Sequence, residues 1–218
     1  MEAMPRHQCV IYEGSPARML PAIAAHIKQK LSENIRCFYL NSPAMVAGIK
    51  SYLFAAGVDV IYEVAKASLI LSSDQNHLKN GYFDTDHFLR TLEDSLNQAL
   101  SDGYEGFWAT GDMTWELGPD KDLAKLLDYE WRLEKLFAKY PTLSGICQYH
   151  TNSLPQEIVS HGLLLHPALF INETLSRVNP RYIPSEAPIQ PVATTFELEN
   201  TIQNLCALQP GQDKETEI

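Results

Sequence analysis

The chain has 218 residues, of which 45% are hydrophobic and 20% charged, and a formal net charge of -10. That length and composition suit one α/β domain with a sizeable core and exclude an intrinsically disordered chain. The acidity argues against direct nucleic-acid binding and against an anionic membrane surface, both of which need Lys and Arg, and no apolar run reaches the roughly 18 residues of a membrane span.

HQCVIYEG, from His7 to Gly14, is a short β-type run ending at a glycine. Ser15-Pro16 follows as helix cap and first helical position. The helix from Pro16 to about Leu31 puts Met19, Ile23, Ile27 and Leu31 on one stripe, with Pro21 early enough for its first turn. IRCFYLN, Ile35 to Asn41, is a second strand; Ser42-Pro43 repeats the cap, and the next helix runs to about Ala56 with Gly57 at its C-terminal stop. Val58 to Ser73 is read as a third strand region of two short strands with a turn at Ala65 to Ala67, and polar Asp74 to Gly81 as a loop.

Asp84 or Thr85 caps a helix with the stripe Phe88, Leu89, Leu92, Leu96 and Leu100. GFWATG is strand four, and GDMTW the turn that leaves it. A helix over Lys121 to Tyr140 is stopped by Pro141; SGICQYH is strand five; a helix opens at Leu154-Pro155; and Ala168 to Asn172 is a last strand. Four prolines between Pro180 and Pro191 mark a linker, followed by an amphipathic helix over Thr194 to Leu208 and a polar tail. Domain boundaries are therefore 1–179 for the α/β domain and 180–218 for linker, helix and tail. Alternating strands and helices predict an α/β fold, a mostly parallel sheet with helices on both faces.

In such a sheet ligands bind at the carboxyl ends of the strands. Strand four delivers Asp112 and Trp115 there, and strand five delivers Tyr149; with Tyr39 and Asn41 they form a candidate ligand rim, with Asp112 and Glu130 as polar anchors. Each has a plainer role beside it. Asp112 suits a turn cap, and Trp115 a core anchor. Glu130, flanked by Tyr129 and Trp131, suits a half-buried carboxylate paired with, for example, an Arg. Cys147 suits a buried strand cysteine more than a nucleophile.

The loop EGSPARM has one glycine, no lysine and no G-x-x-x-x-G-K-S/T pattern, so nucleotide hydrolysis is not expected. Among Cys9, Cys37, Cys147 and Cys206 there is no C-x-x-C pair, consistent with a reduced, cytoplasmic protein. Local metal spacing is also absent. A set of His7, His166 and Asp112 would need the fold to assemble it, and no metal or cofactor is expected. No residue is assigned as catalytic.

HQCVIYE, GYFDTDHFL, GDMTW, YEWRL, ICQYH and HGLLLHP occur in this order from about His7 to Asn172. The chain thereby resembles the MEDS domain, the sensory domain named for methanogens, methylotrophs and the dichloromethane-responsive regulator DcmR. The resemblance implies a RecA- or KaiC-like three-layer core without a working phosphate loop. It also implies a bacterial or archaeal role in signal transduction and transcription regulation, with a small hydrocarbon derivative as ligand. His7, Tyr12, Tyr129, Cys147 and His166 are motif positions beside Asp112, Trp115, Glu130 and Tyr149. Two departures concern ligand charge: the strand GFWATG lacks the basic residue frequent in the family, and His150 stands where Asp is often found.

The expected function is a stand-alone sensory module that binds a small molecule and relays it to a kinase, a regulator or a second copy of itself. The alternatives are a protein-interaction module docking through the 194–208 helix, and a hydrolase-like enzyme using Asp112, His166 and Cys147. The latter requires Cys147 and a histidine within hydrogen-bond reach.

Overall fold

A computed structural model describes residues 4–73, 78–79, 82–114 and 123–184, with Asn200, Gln203 and Asn204 further on. Strand β1 (His7–Tyr12) leads through a short 3-10 turn, Pro16–Met19, into helix α1 (Leu20–Ser32). Ser15 caps that turn by accepting from the Ala17 amide, and Pro21 sits in the first turn of α1, where a missing N–H costs nothing. Strand β2 (Ile35–Asn41) and helix α2 (Pro43–Ala55) follow, and Gly57 has the positive φ of 83° that stops α2.

The next segment departs from the sequence expectation. Val60–Ala65 is helix α3, and only Leu69–Ser73 forms strand β3. Asp59 caps α3 by accepting from the Tyr62 amide. The β-rich string VIYEV suggested a buried strand, yet Ile61 and Tyr62 are exposed, so its apolar residues do not report burial. At the end of the expected loop, β4 (Leu78–Lys79) pairs with β5 (Tyr82–Phe83), just beyond it, as a small antiparallel hairpin.

Asp84 caps α4 (Thr85–Ser101) through the His87 amide. Its Phe88, Leu89, Leu92 and Leu96 are buried as the stripe requires, whereas Leu100, near the C-terminal end, is exposed. Strand β6 (Gly106–Asp112), helix α5 (Leu123–Lys139), strand β7 (Leu143–His150), helix α6 (Gln156–Leu165) and strand β8 (Ala168–Asn172) complete the alternation. A further strand, β9 (Leu175–Val178), turns back antiparallel to β8. Residues 185–199 lie outside the described residues, as does most of the 194–208 segment.

The seven-stranded sheet has the order β3-β2-β6-β7-β1-β8-β9, parallel except for β9. Side chains alternate across it, and each face carries its own core. One face holds Val10, Tyr12, Tyr39, Trp108 and Ile146 against α1 and α2. The other holds Cys9, Phe38, Phe107, Cys147 and Tyr149 against α4, α5 and α6.

Helix α6 approaches β7 so closely that a Cβ on Gly162 would lie 2.6 Å from the Tyr149 ring. The ring cannot retreat, because its hydroxyl donates to Glu130 at 2.5 Å. In an exposed helix Gly→Ala stabilises by up to about 1 kcal/mol. Here overpacking outweighs propensity, and Gly162→Ala should destabilise the protein by about 1–3 kcal/mol in urea denaturation. A stabilised variant would show that the approach is looser.

Candidate functional site

Helix α5 carries Leu126, Tyr129, Leu133 and Phe137 on its buried side, and Glu130 lies among them with its side chain fully enclosed. An isolated carboxylate there is costly, so it must be paired and hydrogen-bonded. Three elements supply partners. Strand β1 brings His7, whose Nε2 lies 3.3 Å from Glu130 Oε2. His166, just beyond α6, brings its Nε2 to 3.5 Å from the same oxygen. Strand β7 brings the Tyr149 hydroxyl to Oε1 and the Cys147 Sγ to 3.8 Å from Oε2. Cys147 Sγ is also 3.6 Å from His7 Nε2.

A second layer fixes these groups. His7 Nδ1 lies 2.6 Å from Glu134 Oε2, one helical turn along α5 from Glu130. His166 Nδ1 is 2.6 Å from the Gly162 carbonyl. Tyr182 donates to the other Glu134 oxygen at 3.3 Å, and the Ile183 amide donates to the Leu164 carbonyl, so residues just past 179 pack on the domain. The rings of His7 and His166 lie 4.1 Å apart, with Phe137 stacked on His7 at 4.8 Å.

A family model described as MEDS, the methanogen/methylotroph, DcmR sensory domain, matches residues 6–167. The chain belongs to the MEDS family. No curated protein matches it. The matched span runs from the residue before His7 to the residue after His166, so this MEDS domain contains the whole inner cluster.

The sequence candidates of the MEDS chain divide between the two faces. Tyr149 and Glu130 join His7, Cys147 and His166 on the α5 and α6 face. Tyr39, by its core cluster, and Asn41 and Asp112, by strand alternation, belong to the face of α1 and α2. Among the described residues, Tyr39 and Tyr149 therefore line opposite faces of the sheet and not one pocket. Asp112 accepts from the Thr114 amide at 2.8 Å, so it caps the turn that leaves β6. Burial, and then the Asp112 charge, push the Tyr12 hydroxyl upward; burial, then Tyr12 and more weakly Asp112, push up Tyr39, which places all three in one electrostatic neighbourhood. Trp115 lies outside the described residues. Tyr129 packs edge-on against Phe83. The expected arginine beside Glu130 is instead a pair of histidines, and Glu130 takes the position proposed for Asp112 beside His7 and His166.

The first loop is occupied by the protein itself. The Gly14 amide donates to Asn152 Oδ1 at 2.7 Å, and His150 Nε2 lies 2.8 Å from the Gly14 carbonyl. An amide that would face a phosphate is thereby spent on the loop after β7. On the other face, Cys147 also borders a small, almost wholly apolar pocket walled by Phe38, Leu40, Phe88, Leu92 and Met113.

Protonation follows from burial and partners. Burial, then the neighbouring His7 charge, push His166 down to about 4. Burial also opposes charge on His7, but hydrogen bonds and charge from Glu130 and Glu134 outweigh it and raise its pKa. Burial would raise Glu130; the histidine pair and Tyr149 outweigh it and hold the carboxyl below its usual range.

The signs oppose each other. His166 resists protonation in the fold, so its stability contribution falls as pH drops from 6.5 to about 4, and His26, pushed to about 4 by burial, acts the same way. His7 holds its proton more tightly when folded, so its contribution is complete below 6.5 and is lost as pH rises through the raised value. Glu130 and Glu134 contribute above 4.5 and lose that contribution on further acidification. In chelator-containing buffer, urea midpoints should peak near the ordinary histidine pKa. His166→Asn should flatten part of the acid limb between about 6.5 and 4, where His26 supplies a further part and, below 4.5, Glu130 and Glu134 another; an unchanged limb contradicts the assignment. Tyr149→Phe, which removes a hydrogen bond to a charged group, should cost about 1.5–3 kcal/mol in the same assay.

Proposed function

We propose that this MEDS chain is the input unit of a signalling system, and that its ligand is a small, mostly apolar molecule held in the pocket between β2, β6, β7 and helices α4 and α5. The observation that carries this reading is the meeting of two unlike surfaces at Cys147. On one side lies an apolar pocket, and on the other a fully buried polar cluster. Apolar walls with a few convergent polar groups are the usual make-up of a small-molecule site. A halogenated or alkyl compound fits the walls, and its one polar or polarisable group faces the Cys147 sulfur. Occupancy shifts the balance of domain conformations, and a partner protein reads that balance.

A second reading has its own observation. Cys147, His7 and Glu134 stand in the order nucleophile, base and orienting carboxylate, at 3.6 Å and 2.6 Å. Against it, Glu130 lies 3.8 Å from the sulfur and opposes a thiolate there unless a cation offsets both charges. Thiol catalysis requires a stoichiometric burst of p-nitrophenol from p-nitrophenyl acetate that is absent in Cys147→Ser. The sensory reading predicts no such burst.

Thermal-shift titration with dichloromethane, short alkyl halides and short alkylamines tests the ligand reading. Binding to the folded state alone should raise the melting temperature with concentration. Ala109→Leu, which narrows the pocket from β6, should remove the response while the variant stays folded. No shift with any compound, or an equal shift in Ala109→Leu, contradicts the reading.

A further inference from the structure

We propose that His7 Nε2, His166 Nε2, one Glu130 carboxylate oxygen and the Cys147 sulfur together bind one zinc-class divalent metal ion. The four donors come from β1, α5, β7 and the residue after α6, and lie within 4.8 Å of one another in a fully buried site. This inference does not depend on the ligand reading; it concerns what occupies the centre of the cluster.

The spacing supports it. Metal bonds of about 2.0–2.3 Å in a tetrahedron set donor-to-donor edges of about 3.3–3.8 Å. Four of the six edges measure 3.3 Å for His7 to Glu130, 3.5 Å for His166 to Glu130, 3.6 Å for Cys147 to His7 and 3.8 Å for Cys147 to Glu130, and the two remaining edges, both from His166, lie within 4.8 Å, so His166 closes in by up to about 1 Å when the ion binds. The two nitrogen–oxygen edges are shorter than the two that include sulfur, as the longer metal–sulfur bond requires.

The outer contacts are those of a metal site. His7 Nδ1 is engaged by Glu134, and His166 Nδ1 by the Gly162 carbonyl. Each therefore carries its proton on Nδ1 and leaves an Nε2 lone pair facing inward, the orientation a metal-binding histidine needs. Glu130 keeps one oxygen for the cluster while the other accepts from Tyr149. His166 Nε2 is fully buried and has no hydrogen-bond partner. A lone pair in that state is costly without an electrophile in front of it.

Charge and softness select the ion. Glu130 and a Cys147 thiolate place two negative charges in a buried site, with the partly exposed Glu134 a third beside them, and a divalent cation offsets them. One sulfur and two imidazoles suit zinc, cobalt or iron(II) and disfavour magnesium and calcium. Four protein ligands close the coordination sphere, so the ion holds four elements together and has no open position for a hydrolytic water. It also places a metal-bound sulfur on the wall of the apolar pocket. The competing arrangement is a proton in the place of the ion, with a protonated His7 between Glu130 and Glu134.

The test uses the full chain without a histidine tag. Inductively coupled plasma mass spectrometry should find one equivalent of metal per chain. Cobalt(II) added to chelator-stripped protein should give intense tetrahedral visible bands and a near-ultraviolet sulfur-to-cobalt charge-transfer band. Cys147→Ser should lose the charge-transfer band, while Cys9→Ala, altered in the same core, should keep it. Chelation should lower the melting temperature of the unmutated protein and zinc(II) chloride should restore it, a readout that needs no variant to fold. Substoichiometric metal with only pale octahedral cobalt bands overturns the proposal. So does a charge-transfer band that survives in Cys147→Ser, or a melting temperature indifferent to chelator and zinc.

Discussion

A carboxylate with no solvent exposure cannot stand alone in an apolar layer, and Glu130 is such a group. Its burial obliges β1, β7 and the end of α6 to deliver His7, Tyr149, Cys147 and His166 to one point. Removing one partner of a buried charged pair typically costs about 3–5 kcal/mol, a large share of a domain's total stability. The packing of α6 on β7 depends on the same group, since Tyr149 is held by Glu130 and Gly162 exists in the space that the ring leaves. Glu134 extends the dependence to Tyr182, so the chain just past the last strand is tied to the cluster.

The two faces of the sheet are chemically distinct. On the α1 and α2 face, polar groups satisfy one another: Gln148 donates to Thr110 at 2.8 Å, Thr110 donates to the Ile146 carbonyl, and His150 and Asn152 hold the first loop. The Gly14 amide and carbonyl of the first loop are both engaged by the segment that ends β7. On the α5 and α6 face, an apolar pocket and an unsatisfied histidine nitrogen remain.

The alternation of strands and helices, and hence the parallel sheet, was legible because each strand is a short apolar run and each helix has a cap and a stripe. Val60–Ala65 was misread because its apolar residues are exposed, and β9 was missed because LSRV has no strong β signal. His7, Cys147 and His166 were legible as motif positions but not as a cluster. Their donors come from distant parts of the chain, so no local spacing announces them. One local signal was present: Glu130 falls on the stripe of Leu126, Leu133 and Phe137, and a carboxylate on a buried stripe demands partners. Asp112 drew attention by sitting at a strand end, where it serves as a turn cap.

Anomalous diffraction from crystals of the unmutated full chain, recorded on both sides of the zinc absorption edge, tests the account most directly. The account predicts one strong peak inside the tetrahedron of His7 Nε2, Glu130 Oε2, Cys147 Sγ and His166 Nε2, with metal–sulfur and metal–nitrogen distances of about 2.3 and 2.0–2.1 Å. Crystals grown with zinc that show no peak there, with His7 bridging Glu130 and Glu134 by hydrogen bonds alone, would contradict it.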